Sequence, residues 1–176
     1  QRNGRSKVTA FAKDNIMKLS DGLFHDVFDE VAADYPAIEA EYWIVDIGAA
    51  KLADTPEAFD VVVLPNLYGD ILSDAAAGLT GGLGLAASGC FGADYAYFES
   101  AHGTAPDIAG KGIVNPVATL LSAAMLLDYC DRAPIASALR DAIDRLHEEG
   151  RVLTPDVGGT ASTAQVCEAV LGHMQA

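Results

Sequence analysis

The chain has 176 residues, 51% of them apolar, with a formal net charge of −14 and a pI near 4.4. That length supports one sizeable core and is short for two independent domains. No apolar run approaches the roughly eighteen residues of a membrane span, and the acidic surface excludes nucleic acid, whose phosphates it would repel. The opening residues Gln1 to Lys7 show no signal-peptide pattern and lead into a strand at Val8-Thr9-Ala10-Phe11. Three cysteines, Cys90, Cys130 and Cys167, are odd in number and widely spaced. They read as buried thiols of a reducing cytoplasm, not as a disulfide frame or zinc site.

After the first strand comes Ala12-Lys13-Asp14-Asn15-Ile16-Met17-Lys18, and then a helix from Ser20 to about Tyr35-Pro36. Ser20 and Asp21 offer capping oxygens, and Leu23, Phe24, Val27, Phe28 and Val31 recur at helical spacing. Residues 38–45 read as a strand and Asp46 to Leu52 as a short helix that Asp46 would cap. The apolar run Asp60 to Leu64 reads as a buried strand, so strands and helices alternate as in an α/β sheet. Gly69 then permits a turn into a helix beginning near Asp70 and Ile71. Asp70 and Asp74 share one face of that helix and can aim two hard oxygen ligands at a magnesium or manganese ion. By spacing alone they read more readily as an acid at a helix start, Asp70, and a solvated surface group, Asp74.

Gly81-Gly82-Leu83-Gly84-Leu85-Ala86-Ala87 contains G-x-G-x-x-A, but it closes a helix instead of joining a strand to the helix it opens. It is therefore read as a helix end and a close crossing of backbones, not as a Rossmann fingerprint. Residues 92–98 form a plausible strand. His102-Gly103-Thr104-Ala105-Pro106 follows, with a flat ring, a hydroxyl, unhindered backbone and a stiffened turn that can cup an adenosine. Pro116 opens a helix whose apolar residues wrap all round, and Ile135 to Glu149 is amphipathic and ends at Gly150. Thr154 to Thr163 reads as a Gly/Pro loop before a last helix.

Two long segments carry a resemblance. Residues 64–79, around Asn66-Leu67-Tyr68-Gly69-Asp70-Ile71-Leu72-Ser73-Asp74, resemble the metal-binding segment of the β-decarboxylating dehydrogenases, the isocitrate and isopropylmalate dehydrogenase family. Residues 98–116, Phe98-Glu99-Ser100-Ala101-His102-Gly103-Thr104-Ala105-Pro106-Asp107-Ile108 through Asn115-Pro116, resemble its nucleotide loop. The segment from Ala12 to Gly22 is similar to its catalytic-lysine segment, and residues 15–22 and 98–104 are most similar to the NAD-dependent isocitrate branch.

The resemblance implies an α/β, non-Rossmann isocitrate/isopropylmalate dehydrogenase-like fold. Residues 1–82 would belong to a substrate and dimerisation domain with the metal site, and 83–176 to a nucleotide-binding domain. It implies Lys13 as general acid/base, with Asn15 beside substrate and nicotinamide. Asp46 would be a third metal carboxylate, joining Lys13 in catalysis and reaching the ion of the neighbouring subunit of a dimer, alongside Asp70 and Asp74. It implies a cofactor site of Glu99, His102, Gly103, Thr104, Ala105, Pro106, Asp107 and Asn115, with Asn115 reading the adenine edge. NADP users of the family tend to carry a cationic or aromatic pair where this chain has Asp107-Ile108, and a carboxylate there would repel a 2′-phosphate. NAD is therefore expected, with Mg²⁺ or Mn²⁺.

The implied reaction is oxidation and decarboxylation of a small 2-hydroxy acid, isocitrate first, with isopropylmalate or homoisocitrate as alternatives. A noncatalytic regulatory or cofactor-binding subunit is the competing class. Such relatives tend to lose the lysine or the metal acids, which are kept here. The match covers the latter half of the family's length, without the arginine cluster and the tyrosine of its first half. The implied partners are that first half and a second copy of the chain, with no membrane, and the half alone is expected to be inactive and to expose an apolar patch.

Overall fold

A computed structural model describes residues 4–175. Gln1, Arg2 and Asn3, the start of the opening polar segment, lie outside the described residues. The chain divides into two units, residues 1–79 and 80–176.

The first unit is built on three parallel strands: β1 (Lys7–Ala12), β2 (Glu39–Ile44) and β3 (Val61–Val63), in the order β2-β1-β3. The central strand has Thr9 to Ala12 wholly buried, as expected of a parallel strand covered on both faces. Helix α1 (Ser20–Ala33) follows β1, α2 (Val45–Asp54) follows β2 and α3 (Asn66–Leu79) follows β3. In α2, Gly48 lies so close to Phe11 that a Cβ there would meet its ring at 2.8 Å. Phe11 also meets Phe59 edge to face at 5.4 Å. The apolar stripe of α1 lies open, with Leu23, Val27 and Val31 exposed. An apolar cleft of about 440 Å³ runs between α1 and the sheet, past Val8, Phe28, Val31, Ala40, Val61 and Val63.

The second unit opens with a hairpin of β4 (Ala87–Phe91) and β5 (Ala96–Ser100), and continues with α4 (Val117–Tyr129), α5 (Ala133–Glu149) and α6 (Thr163–Gln175). Its core joins the three helices through Val117, Ala124, Leu139, Ile143, Leu146, Val166 and Val170. Ser162 and Gln165 form a capping box at the start of α6: the Gln165 N–H donates to Ser162 Oγ at 3.3 Å, and Gln165 Oε1 accepts the Ser162 N–H at 2.9 Å. Gly150, at φ +62, ends α5 as expected.

Several local expectations are corrected. Gly69 is helical, donating to the Pro65 carbonyl at 2.8 Å, so α3 begins at Asn66 and Asp70 stands beyond its first turn. Ser20 and Asp21 do not cap α1, because the Asp21 carboxylate is drawn back to the Lys13 N–H. Asp46 is in the first turn of α2, with Ile44 at the cap position. Strand β4 was not expected, since its Gly-Cys interior lacks a β-branched run, and β5 starts at Ala96 instead of residue 92. Helix α4 is not enclosed: Leu126 and Tyr129 are exposed, as is Ile135 at the edge of the α5 stripe. Cys90 and Cys130 are exposed and only Cys167 is partly covered; all three are free thiols. No described helix is long and apolar enough to cross a membrane.

Candidate active site

In the first unit β1 delivers Lys13 to the end of the sheet, where the chain turns sharply. The Lys13 carbonyl accepts the N–H groups of Ile16 (3.0 Å) and Met17 (2.7 Å). Its Nζ lies 2.8 Å from Asp46 Oδ1 at the start of α2, and this lysine holds the Asp46 carboxyl below its ordinary pKa. Strands β1 and β2 are paired in parallel up to Ala12 and Ile44. Lys13 and Asp46, each shortly beyond one strand's end, therefore emerge together at the carboxyl edge of the sheet, where α/β folds place their chemistry. Asn15 is exposed on the same turn.

Asp70 and Asp74 both belong to α3, four residues apart and exposed, so their carboxylates share a face. Neither has an ion-pair partner among the described residues, which leaves hard oxygen donors free to take a divalent cation. Asp46 does not join them: among the described residues no group of three or more acids, histidines or cysteines converges as a metal cluster. The chain thus presents two separate parts, a Lys13–Asp46 pair and an Asp70–Asp74 pair.

Behind Lys13, Asp14 pairs with His25 Nδ1 at 2.8 Å, and the His25 ring stacks on Tyr42 with centroids 3.5 Å apart and planes 6° apart. His25 holds the Asp14 carboxyl below its ordinary range. Burial, with Asp14 alongside, pushes the Tyr42 hydroxyl up to about 12.

The second unit contains a cavity of about 560 Å³. His102, Gly103, Ala105 and Asn115 line it, together with Leu83, Gly84, Ile108, Ile113, Val114, Pro155 and Asp156. Ala105 turns the loop with a left-handed backbone at φ +42 into a short 3-10 turn, Pro106–Ile108. His102 Nδ1 lies 3.0 Å from the Gly103 carbonyl, while Nε2 is buried without a hydrogen-bond partner among the described residues. A buried ring nitrogen left unsatisfied at a cavity wall suits a site that a polar ligand completes. Asn115 is 5% exposed. Its Nδ2 donates to Asp156 Oδ2 at 3.0 Å and its Oδ1 accepts the Val117 N–H at 3.1 Å.

Glu99, Thr104, Pro106 and Asp107 stand outside the cavity wall and are exposed. Glu99 sits on β5, where its carbonyl accepts the Ser122 hydroxyl at 2.6 Å, and Asp107 sits on the 3-10 turn between the wall residues Ala105 and Ile108.

A family model described as "Isocitrate/isopropylmalate dehydrogenase" matches residues 1–170. The chain belongs to that family. It is 52% identical to the "Isocitrate dehydrogenase [NADP]" of Rickettsia typhi over 167 residues, covering 94% of this chain and 34% of that protein. It is 53% identical to the "Isocitrate/homoisocitrate dehydrogenase" of Thermus thermophilus over 159 residues, covering 90% of this chain and 47% of that one. The crystal structure of isocitrate dehydrogenase from Methylococcus capsulatus superposes with a TM-score of 0.96 at 44% identity, covering 99% of this chain and 52% of that chain. The fold is therefore that of the isocitrate/isopropylmalate dehydrogenases. The chain spans between about a third and a half of the length of these relatives.

Sequence reasoning assigned no site at Asp156, although its segment resembles the family's closing segment, in which an aspartate lies near the cofactor, and it took the glycines around Gly84 for a helix end and a close crossing of backbones. The signal for Gly84 lay in Gly81-Gly82-Leu83-Gly84: a Cβ at Gly84 would stand 2.7 Å from Asp156 Oδ2 and 3.2 Å from Asn115 Cβ. Three segments distant in sequence meet there.

Proposed function

We propose that this chain supplies the lysine-, metal- and nucleotide-bearing part of a β-decarboxylating dehydrogenase that oxidises a 2-hydroxy acid with NAD, isocitrate to 2-oxoglutarate being the reaction best supported. Residues 1–82 would carry the acid–base and metal groups in a substrate and dimerisation domain, and 83–176 the nucleotide. The observation that carries the reading is the Lys13–Asp46 pair at the sheet's carboxyl edge in a chain that also keeps Asp70 and Asp74 free on one helix face. A noncatalytic subunit has no use for that combination.

A divalent ion held by Asp70 and Asp74, with Asp46 contributed from the neighbouring subunit of a dimer, would supply Lewis acidity to the substrate's hydroxyl and carboxylate oxygens. Lys13 would hold and move the proton at the substrate oxygen, with Asp46 fixing its ammonium group; Asn15 would orient substrate beside the nicotinamide. In the second unit His102, Gly103, Ala105 and Asn115 would bind the adenosine part of the cofactor. Asp107, next to the wall, would disfavour a 2′-phosphate by charge repulsion. Neither the small substrate nor the half-site pairing calls for nucleic acid or a membrane, and free thiols suit a reducing cytoplasm.

The deciding assay is turnover of the full-length protein with isocitrate, homoisocitrate and 3-isopropylmalate, each with NAD and NADP and with Mg²⁺ or Mn²⁺. Isocitrate oxidation favouring NAD supports the reading. A preference for NADP, the cofactor named for the Rickettsia typhi relative, would remove the role given to Asp107, and no turnover with any pair would remove the enzyme reading.

A further inference from the structure

The one buried residue of α1 is an acid. Asp21 is 6% exposed, while Leu23, Val27 and Val31 of the same helix lie open. Burying a carboxylate is unfavourable unless donors surround it, so its placement calls for a reason. No cation pairs with it among the described residues. Instead Oδ2 accepts the Lys13 backbone N–H at 2.8 Å and Oδ1 accepts the Ser20 hydroxyl at 2.9 Å. Burial raises the Asp21 carboxyl's pKa, but the Lys13 N–H and the hydroxyls of Ser20 and Tyr68 outweigh it and hold it below the ordinary value. The side chain is thus an ionised acceptor dedicated to main chain and hydroxyls.

What it holds is the backbone of the candidate acid–base residue. Lys13 is anchored at its nitrogen by Asp21 and at its carbonyl by the turn to Ile16 and Met17. The following residue is tied to the same helix, because Asp14 pairs with His25 at 2.8 Å. Both ties run to α1, so the helix sets where β1 releases its lysine. From that point the side chain reaches Asp46 at 2.8 Å, a contact that a backbone displacement would break. Misplacement of a reacting group by about 1 Å can cost on the order of a hundredfold in rate.

We propose that Asp21 is a positioning residue for Lys13: its buried carboxylate fixes the lysine's backbone nitrogen so that Nζ meets Asp46 and the substrate oxygen. This rests on the reading of Lys13 as the acid–base group. The claim concerns placement and not charge, which separates two conservative changes. Asn at this position can present Oδ1 to the Lys13 N–H and turn Nδ2 to Ser20 Oγ, keeping the geometry without the charge. Glu keeps the charge but, one methylene longer, moves the acceptor.

The test uses the full-length protein carrying Asp21→Asn, Asp21→Glu or Lys13→Met. With Asp21→Glu, kcat is expected to fall roughly 30-fold or more with KM for the nicotinamide cofactor unchanged, while Asp21→Asn stays within about fivefold of the parent. A second readout is independent of turnover: reductive methylation at Lys13, mapped by mass spectrometry, is expected to be faster in Asp21→Glu than in the parent and in Asp21→Asn, because Nζ leaves Asp46. Unchanged kcat and labelling in Asp21→Glu overturn the proposal, as does loss of activity in Asp21→Asn with Asp21→Glu intact. Retained turnover in Lys13→Met overturns the acid–base reading instead, and the labelling result still decides whether Asp21 places the lysine.

Discussion

Gly84→Ala tests whether the second unit's cavity is organised as described. A Cβ at residue 84 would lie 2.7 Å from Asp156 Oδ2 and 3.2 Å from Asn115 Cβ, inside the roughly 3.5 Å at which non-bonded carbon atoms reach their optimum. Asn115 is buried and held by the Val117 N–H, whereas Asp156 is exposed and ends in a rotatable carboxylate. Asp156 is therefore the group that yields, and the 3.0 Å hydrogen bond to Asn115 Nδ2 is lost. A hydrogen bond to a charged group contributes about 1.5–3 kcal/mol; with the acid exposed, about 1 kcal/mol is the appropriate figure. That amount is lost from folding, and nicotinamide nucleotide affinity falls by up to about fivefold, because binding must then fix the Asn115 amide itself. The assay is calorimetric titration of the full-length protein with NAD. Asp156→Ala should lose a similar amount and the double variant no more than either, since both remove one interaction. Unchanged affinity in Gly84→Ala, or losses that add in the double variant, would refute the role given to this contact.

Three further outcomes are expected. Gly48→Ala brings a methyl within 2.8 Å of the ring of Phe11, which is wholly buried. It should destabilise the protein by about 1–3 kcal/mol, read as a lower midpoint in urea unfolding; an unchanged midpoint would mean that α2 can retreat from the sheet. Asp60 accepts the N–H groups of Ser6 (2.8 Å) and Lys7 (3.2 Å) and pairs with Arg5. The Ser6 N–H foremost, opposed by burial and aided by Lys7 and Arg5, holds its carboxyl below the ordinary value. The stability it contributes is present above the unfolded carboxylate pKa of about 3.9 and is lost as pH falls through the lower folded value. Asp60→Asn should accordingly flatten the fall of melting temperature between about pH 5 and pH 2, and an equally steep fall would exclude the assignment. Lys13→Met should abolish turnover with cofactor affinity retained, as measured by the same titration, while activity near that of the parent would remove Lys13 from the mechanism.

Much of this architecture was legible because pattern and burial agree. The buried run of β1 and the alternation of strands with helices follow from strong local signals, and Gly150 ended its helix where expected; β3 forms where expected but is not buried, Val61 being exposed and Val62 and Val63 half-buried. The misses have physical causes. Gly69 was read as a turn because glycine permits one, yet helix α3 passes through it, closing its hydrogen bond to Pro65. Strand β4 escaped because Gly89 and Cys90 are poor strand formers and pair only through β5. Asp21 was taken for a cap because acids at helix starts usually are; only the fold of β1 back over α1 shows that it serves Lys13. Similarly, Asp156 meets Asn115 across 41 positions, a contact that no local pattern encodes. Asp46 was singled out only from its place in the family resemblance, where few of its neighbours match, and its 2.8 Å pairing with Lys13 became visible only when the register of β1 with β2 was known.

The proposed function depends most on Asp70 and Asp74, on one face of α3, being ligands of a divalent ion that serves the reaction with Lys13 and Asp46. It is tested most directly by titrating the full-length protein and its Asp70→Asn variant with Mn²⁺ while following the metal's paramagnetic resonance signal, with NAD affinity as the control. Mn²⁺ binding is expected to weaken at least about tenfold in Asp70→Asn, equivalent to about 1.4 kcal/mol, with NAD binding unchanged. Equal Mn²⁺ affinity in the two proteins would contradict it.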